Sequence, residues 1–268
     1  MESIIQGALF GAIGGAIVAL IGWGIGKFTK KEQNWTGTIT VMCIVMAISV
    51  GRVIQSDPHK AAMAEFDKLS TVAALKNHYP EDYLKLRTIV NSTPADASLI
   101  DAQNAIRPTI SEIIQRQMPK ANADSAFDFL QLVRDEGVAL RAASPAACVA
   151  LATGGAPQVD LASAFGPDLM KRDFDVTGRM LVQTATNPQA PPKPLDDKAA
   201  GDIVLAGLSR MSEGESSTAL ALLQASKAPA SEAESLALCN FYIAMYESLL
   251  VEPKAIAGAK FRSLLVTK

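Results

Sequence analysis

The chain contains few of the residues that metal and nucleophilic sites need, since His59, His78 and three cysteines are all that 268 residues provide. It also lacks the HExxH, paired CxxC, GxSxG and GxxxxGK[ST] motifs, which would supply zinc ligands, a nucleophilic serine or a phosphate loop. Adjacent carboxylates such as Glu81 and Asp82 stand where helices should begin, and negative charge is stabilising there. We therefore predict no catalytic residue, no metal site and no cofactor.

An excess of positive charge is missing as well, because the formal net charge is −2 and aromatic residues make up only 6% of the chain. A protein that follows a phosphate backbone needs a basic stripe, and single-stranded binders add aromatic rings between the basic residues. The chain has neither pattern. We predict no nucleic-acid partner.

Apolar residues are concentrated in the first 55 positions. Residues 4–25 carry no charge, and residues 36–54 carry only Arg52. At about 1.5 Å per helical residue, each stretch can cross a hydrocarbon core of about 30 Å. The sequence predicts an all-α protein with an N-terminal two-helix transmembrane hairpin, residues 1–55, and a soluble multi-helix domain after it. A cleaved signal peptide is the alternative for the first stretch, but no basic residue precedes it.

The orientation of the hairpin follows from its lysines. Lys27, Lys30 and Lys31 lie in the loop between the two spans, and none precedes the first span. Trp23 and Trp35 flank this loop, where indole rings anchor at the interface with the lipid bilayer. By the positive-inside rule, we predict a bacterial inner-membrane protein with a cytoplasmic loop and a periplasmic C-terminal domain.

Small residues form a stripe along the first span. The stripe consists of Gly7, Gly11, Gly15, Gly22 and Gly26. It resembles the general glycine-zipper pattern, which occurs in many unrelated membrane proteins and names no family. Helices in lipid associate by close packing, so small residues on one face predict a contact surface for another membrane subunit or a second copy of this chain. The alternative is that the stripe receives the second span of the same hairpin.

The rest of the chain carries repeated signals for helix starts and no alternating strand pattern. Thr93 before Pro94, Ser144 before Pro145, and the capping box of Ser231 with Glu234 each predict a helix N-terminus. We expect eight to ten helices.

A proline-rich segment, 187–197, predicts an exposed extended connector. It divides the domain into two predicted sub-bundles, 56–186 and 198–268, although it could also dock a polyproline reader. The helix over 231–251 is apolar nearly all round, which predicts that it is buried on two sides. Glu234 and Glu247 leave too little uncharged length for a third span.

Two cysteines, Cys148 and Cys239, lie in the predicted soluble domain, and Cys43 lies in the second span. In the oxidising periplasm an even pair predicts a disulfide. Two free buried thiols are one alternative. An activated thiol at Cys148, in the first turn of its helix, is another.

These observations favour a non-enzymatic, membrane-anchored scaffold or accessory subunit of a membrane complex. Its partners would be other membrane or periplasmic subunits, or a second copy of the chain. One alternative is a membrane-anchored periplasmic enzyme with a cleft between the two sub-bundles. A pore-forming oligomer is disfavoured, because the spans lack polar positions that would face a pore.

Overall fold

The computed structural model describes residue 64 and residues 66–94 and 97–266. In these residues the chain forms ten α-helices, one short 3-10 turn and no β-strand, which confirms the predicted all-α class and the number of helices. The predicted hairpin, residues 1–55, lies outside the described residues. The helices are α1 Ser70–His78, α2 Pro80–Ser92, α3 Leu99–Gln117, α4 Ala123–Ala143, α5 Pro145–Ala152, α6 Leu161–Thr186, α7 Asp197–Leu208, α8 Glu213–Ala225, α9 Glu232–Leu250 and α10 Lys254–Leu264.

Two of the predicted helix starts are confirmed. The Ser144 side chain accepts a hydrogen bond from the backbone N–H of Ala147 at the start of α5, with proline in the first helical position. At α9, Ser231 accepts from the N–H of Glu234, whose carboxylate accepts in turn from the N–H of Ala230. Each cap satisfies N–H groups that have no partner within the helix.

The predicted start at Thr93 is wrong. Helix α3 begins at Leu99, and its N-cap is Ser98, whose hydroxyl accepts a hydrogen bond from the N–H of Asp101. Thr93 instead ends α2, and its hydroxyl donates to the carbonyl of Ile89. Ser98 is the better cap because Asp101 also accepts its hydroxyl proton, so both members of the pair are satisfied.

Helix α6 is interrupted at Gly166, where φ is 69° and ψ is 171°. This backbone conformation is nearly exclusive to glycine. Pro167 follows in the first position of the second segment, where the missing N–H costs nothing. The interruption turns the chain so that the long second segment packs along α1 and α4.

Helix α9 lies at the centre of the described core. It packs against α4, α5, α7, α8 and α10, and all residues from Ala237 to Tyr246 are buried except Asn240. The prediction that this helix is enclosed on two sides is confirmed. Among the helices in the described ranges, none has the combination of length and apolar character that crossing a bilayer requires.

The proline-rich connector contains no helix between Thr186 and Asp197, and most of its residues are exposed, as predicted. It is nevertheless held to the helical body. The N–H of Gln189 donates to the carbonyl of Lys120 at 2.8 Å, and the guanidinium of Arg262 donates to the carbonyls of Pro119 and Ala190. These hydrogen bonds hold the connector against the helical body. The division of the domain into two sub-bundles stays a prediction.

Candidate functional site

A polar groove of about 380 Å³ runs between α4 and α6. Both helices belong to the first predicted sub-bundle, 56–186. The groove is therefore not the cleft between the two sub-bundles that the alternative enzyme hypothesis predicts. Acidic and basic side chains of these two helices line the groove together. The charged lining residues are Asp128 on α4 and Asp168, Lys171, Arg172, Asp175 and Arg179 on α6.

Several of these charges are paired within the chain. Lys171 pairs with Asp175, and the Nζ of Lys254 lies 3.0 Å from Asp128. Hydrogen bonds from Lys171 and from the Ser70 hydroxyl hold the pKa of Asp175 below its usual range. Exposed pairs of this kind contribute little stability. The groove is therefore lined by three acidic and three basic side chains, of which Lys171 and Asp175 pair with each other.

The most perturbed acids in the described residues are Glu136 on α4 and Asp173 on α6. Their side chains are 0% and 1% exposed. The Thr177 hydroxyl donates to Asp173 Oδ1 at 3.2 Å, while Asp173 Oδ2 and both carboxyl oxygens of Glu136 have no hydrogen-bond partner among the described residues. Burial of an unpaired charge is costly, so the neutral acid is the favoured form.

The pKa of both carboxyl groups is raised well above its ordinary value. Burial is the main cause for each, and on Glu136 the negative charges of Asp173 and Asp135 add to it, while Arg172 opposes it. Neighbouring acids with raised pKa values often mark functional sites. The side chains of both acids are closed off from solvent.

We expect the stability of the domain to fall as the pH rises above about 4. A carboxyl group with a raised pKa in the folded state stabilises the fold fully below its unfolded pKa, and this contribution is lost as the pH rises through the folded pKa. The slope should approach about 1.4 kcal/mol per pH unit for each proton held. Glu136→Gln and Asp173→Asn should flatten this slope, which urea unfolding of the detergent-solubilised chain from pH 5 to pH 8 measures.

The matched control is Asp202→Asn, because Asp202 is an exposed acid paired with Lys198 on the surface of α7. This variant should keep the wild-type slope. Equal slopes in the wild type and in the Glu136→Gln, Asp173→Asn double variant would contradict the assignment of the raised pKa values.

The predicted disulfide is present. Cys148 on α5 and Cys239 on α9 are bonded, with their Cα atoms 5.7 Å apart, inside the range that a disulfide allows. Both residues are buried. The bond excludes the two alternatives, a pair of free thiols and a reactive thiol at Cys148, and it ties α5 to the central helix.

The other predicted site residues fall outside the described residues: Gly7, Gly11, Gly15, Gly22, Gly26, Trp23, Trp35, Lys27, Lys30 and Lys31. Of the two histidines, His78 is exposed in the last turn of α1. The described ranges contain no group of three or more histidine, cysteine or acidic side chains that could hold a metal ion.

The buried acids were missed in the sequence, although a signal exists. Glu136 falls on the spacing Phe129, Val133, Glu136, Leu140, which is the buried face of α4. A charged residue on an apolar stripe indicates either a paired or a neutral acid.

No protein-family model matches the chain, and comparisons with the curated proteins and with the solved structures gave no match.

Proposed function

We propose that this chain is a non-enzymatic, membrane-anchored scaffold or accessory subunit of a complex in the bacterial inner membrane, with its helical domain on the periplasmic side. The observation that carries this proposal is the Cys148–Cys239 bond. Disulfides persist in oxidising compartments and are rare in the cytoplasm. The bond therefore favours the side of the membrane that the loop lysines predict.

The anchor keeps the domain close to the bilayer. The predicted second span ends at residue 54, and the described core begins with Phe66, which is fully buried. About 12 residues connect the two, and they reach at most about 40 Å when fully extended. A domain held this close to the membrane is suited to contact other proteins that have spans or domains in the same layer.

The described surface offers dispersed apolar contacts. Its large exposed apolar side chains come from six helices and one turn, and single exposed residues of this kind are ordinary. We therefore assign the main association surface to the glycine stripe. The exposed residues are Leu84, Val138, Val182, Leu205, Leu236, Val251 and Ile256.

The substitution Gly15→Leu should abolish assembly while membrane insertion survives. A branched side chain at this position would separate two helix backbones that approach closely, even though the span becomes more apolar. Copy number and co-purifying subunits in gentle detergent extracts measure assembly, and resistance to alkaline extraction measures insertion.

Substitutions Ala12→Leu and Ile17→Leu, which lie off the stripe, serve as controls and should leave assembly intact. If the Gly15→Leu protein kept its oligomer or partner as fully as these controls, the stripe would not be a contact surface. The scaffold proposal would then lose its assigned association surface.

A further inference from the structure

Helix α3 carries a buried arginine that is only partly satisfied. Arg107 is 6% exposed, and its Nη1 donates a hydrogen bond to the carbonyl of Gly154 at 2.8 Å. Its Nε and Nη2 are buried and have no hydrogen-bond partner among the described residues. The guanidinium thus presents two free donors on one edge.

The charge of this side chain is also uncompensated. Burial lowers the pKa of Arg107 to about 10, so the group still carries its charge at neutral pH. The ion pairs formed within the described ranges do not include it. A buried charge is normally paired, because an unpaired charge inside the protein strongly destabilises the folded state.

The free edge of the guanidinium selects the chemistry of the ligand. Nε and Nη2 are parallel donors that match the two oxygens of a carboxylate or a phosphate side-on. On the preceding turn of α3, Gln103 Oε1 and Asn104 Oδ1 are also buried without partners. Reversal of the Asn104 amide would put its NH2 group where Oδ1 now stands, whereas Gln103 keeps its orientation because its Nε2 donates to the carbonyl of Val159.

The loop between α5 and α6 covers this cluster, and Arg107 Nε and Nη2 are buried beneath it. The segment between α5 and α6 contains no helix from Thr153 to Asp160, and residues 153–156 are exposed. It is joined to α3 by the Arg107 bond to Gly154 and by the Gln103 amide, which donates to the carbonyl of Val159 at 2.7 Å. The free donors therefore lie under an exposed loop that both side chains hold in place.

We propose that Arg107, assisted by Asn104, binds one small oxyanion, a carboxylate or a phosphate, beneath the 153–160 loop. The bound anion neutralises the buried guanidinium and uses the two donors that the protein leaves free. This site lies in the helical domain and does not depend on the membrane anchor or on the scaffold function.

The test is the thermal unfolding of the full chain in detergent, at pH 7 and constant ionic strength, as sodium chloride is replaced by sodium phosphate or by sodium acetate. At a tenfold excess over Kd, a bound anion lowers the unfolding equilibrium constant about elevenfold. The wild type should show this logarithmic rise in unfolding temperature with phosphate, with acetate or with both, and the two series identify the preferred oxyanion.

Substitution Arg107→Met should remove the anion-dependent rise, and Arg107→Lys should weaken binding about tenfold, because lysine keeps the charge and loses the paired donors. The control is Arg87→Met, at an exposed arginine on α2, which should respond like the wild type. An equal rise in the wild type and in Arg107→Met would reveal a general salt effect and overturn the proposal, as would the absence of any rise in the wild type.

Equilibrium dialysis of the wild-type chain with radiolabelled phosphate and with radiolabelled acetate keeps the proposal testable if Arg107→Met fails to fold. One anion bound per chain, unchanged in Arg87→Met and weakened in Arg107→Lys, supports the site. No binding of either anion overturns it.

Discussion

Removal of the Cys148–Cys239 disulfide should lower the free energy of unfolding by about 4.5 kcal/mol. The bond closes a loop with a sequence separation of 91, and the loss of loop-closure entropy in the unfolded chain gives this value. Both sulfurs are buried in the contact between α5 and α9. Cys148→Ala with Cys239→Ala also leaves a small cavity there, which adds to the loss.

Urea unfolding of the detergent-solubilised chain, followed by far-UV circular dichroism, measures this effect. At a slope of about 2 to 3 kcal/mol/M, the midpoint should fall by roughly 2 M. Reductant should produce most of the same fall in the wild type and in Cys43→Ala, and none in the double variant. Midpoints that do not respond to reductant would show that the bond does not form in the protein.

Gly258→Ala should be strongly destabilising, because the added methyl group has no room. A Cβ at this position would lie 2.0 Å from the carbonyl oxygen of Ala123 and 2.8 Å from its carbonyl carbon. Both atoms belong to the backbone at the start of α4, so a change of side-chain rotamer cannot relieve the clash. Helices α10 and α4 would have to separate, and overpacking of this kind costs about 1–3 kcal/mol or more.

The matched control is Gly214→Ala on α8, where an added Cβ meets nothing within 4 Å. That variant should be neutral or stabilised by up to about 1 kcal/mol, because alanine loses less conformational entropy in a helix. Urea unfolding of both variants separates the two effects. If both glycines tolerated alanine equally well, α10 would not pack against α4 as closely as the structure shows.

Local signals in the sequence predicted local features well. Ser144 and Ser231 cap their helices because the hydroxyl and the N–H it satisfies lie within one turn of each other. The apolar surface of α9 predicted its central place, since such a helix can only be covered from several sides. The pairing of Cys148 with Cys239 followed from their number and the expected compartment.

Features that depend on tertiary packing were not predicted. The spacing along α4 places Glu136 on the apolar face of that helix, but its full burial depends on α5, α6, α9 and α10, which all pack against α4. Arg107 is covered by the 153–160 loop, which lies far from it in the chain. At Thr93 the local signal was present, but a second hydroxyl five residues later had a better partner in Asp101.

The described part of the domain has a core that a disulfide cross-links. It also has two unusual polar features, the buried acids Glu136 and Asp173 and the buried Arg107. The disulfide and α9 fix the helices relative to one another. The raised pKa values of Glu136 and Asp173 predict that the stability of the domain depends on pH, and the proposed site at Arg107 predicts that its stability depends on an anion. A scaffold on the periplasmic side would be exposed to changes in pH and in anion concentration.

Labelling with a membrane-impermeant maleimide tests the membrane-anchored arrangement most directly. Gln33→Cys in the loop and Ala190→Cys in the exposed connector are made in a Cys43→Ala background, with the native disulfide left oxidised. In intact cells with a permeabilised outer membrane, Ala190→Cys should be labelled and Gln33→Cys protected. In inverted inner-membrane vesicles the result should be reversed. Labelling of Gln33→Cys in the cells and of Ala190→Cys only in the vesicles would contradict the account.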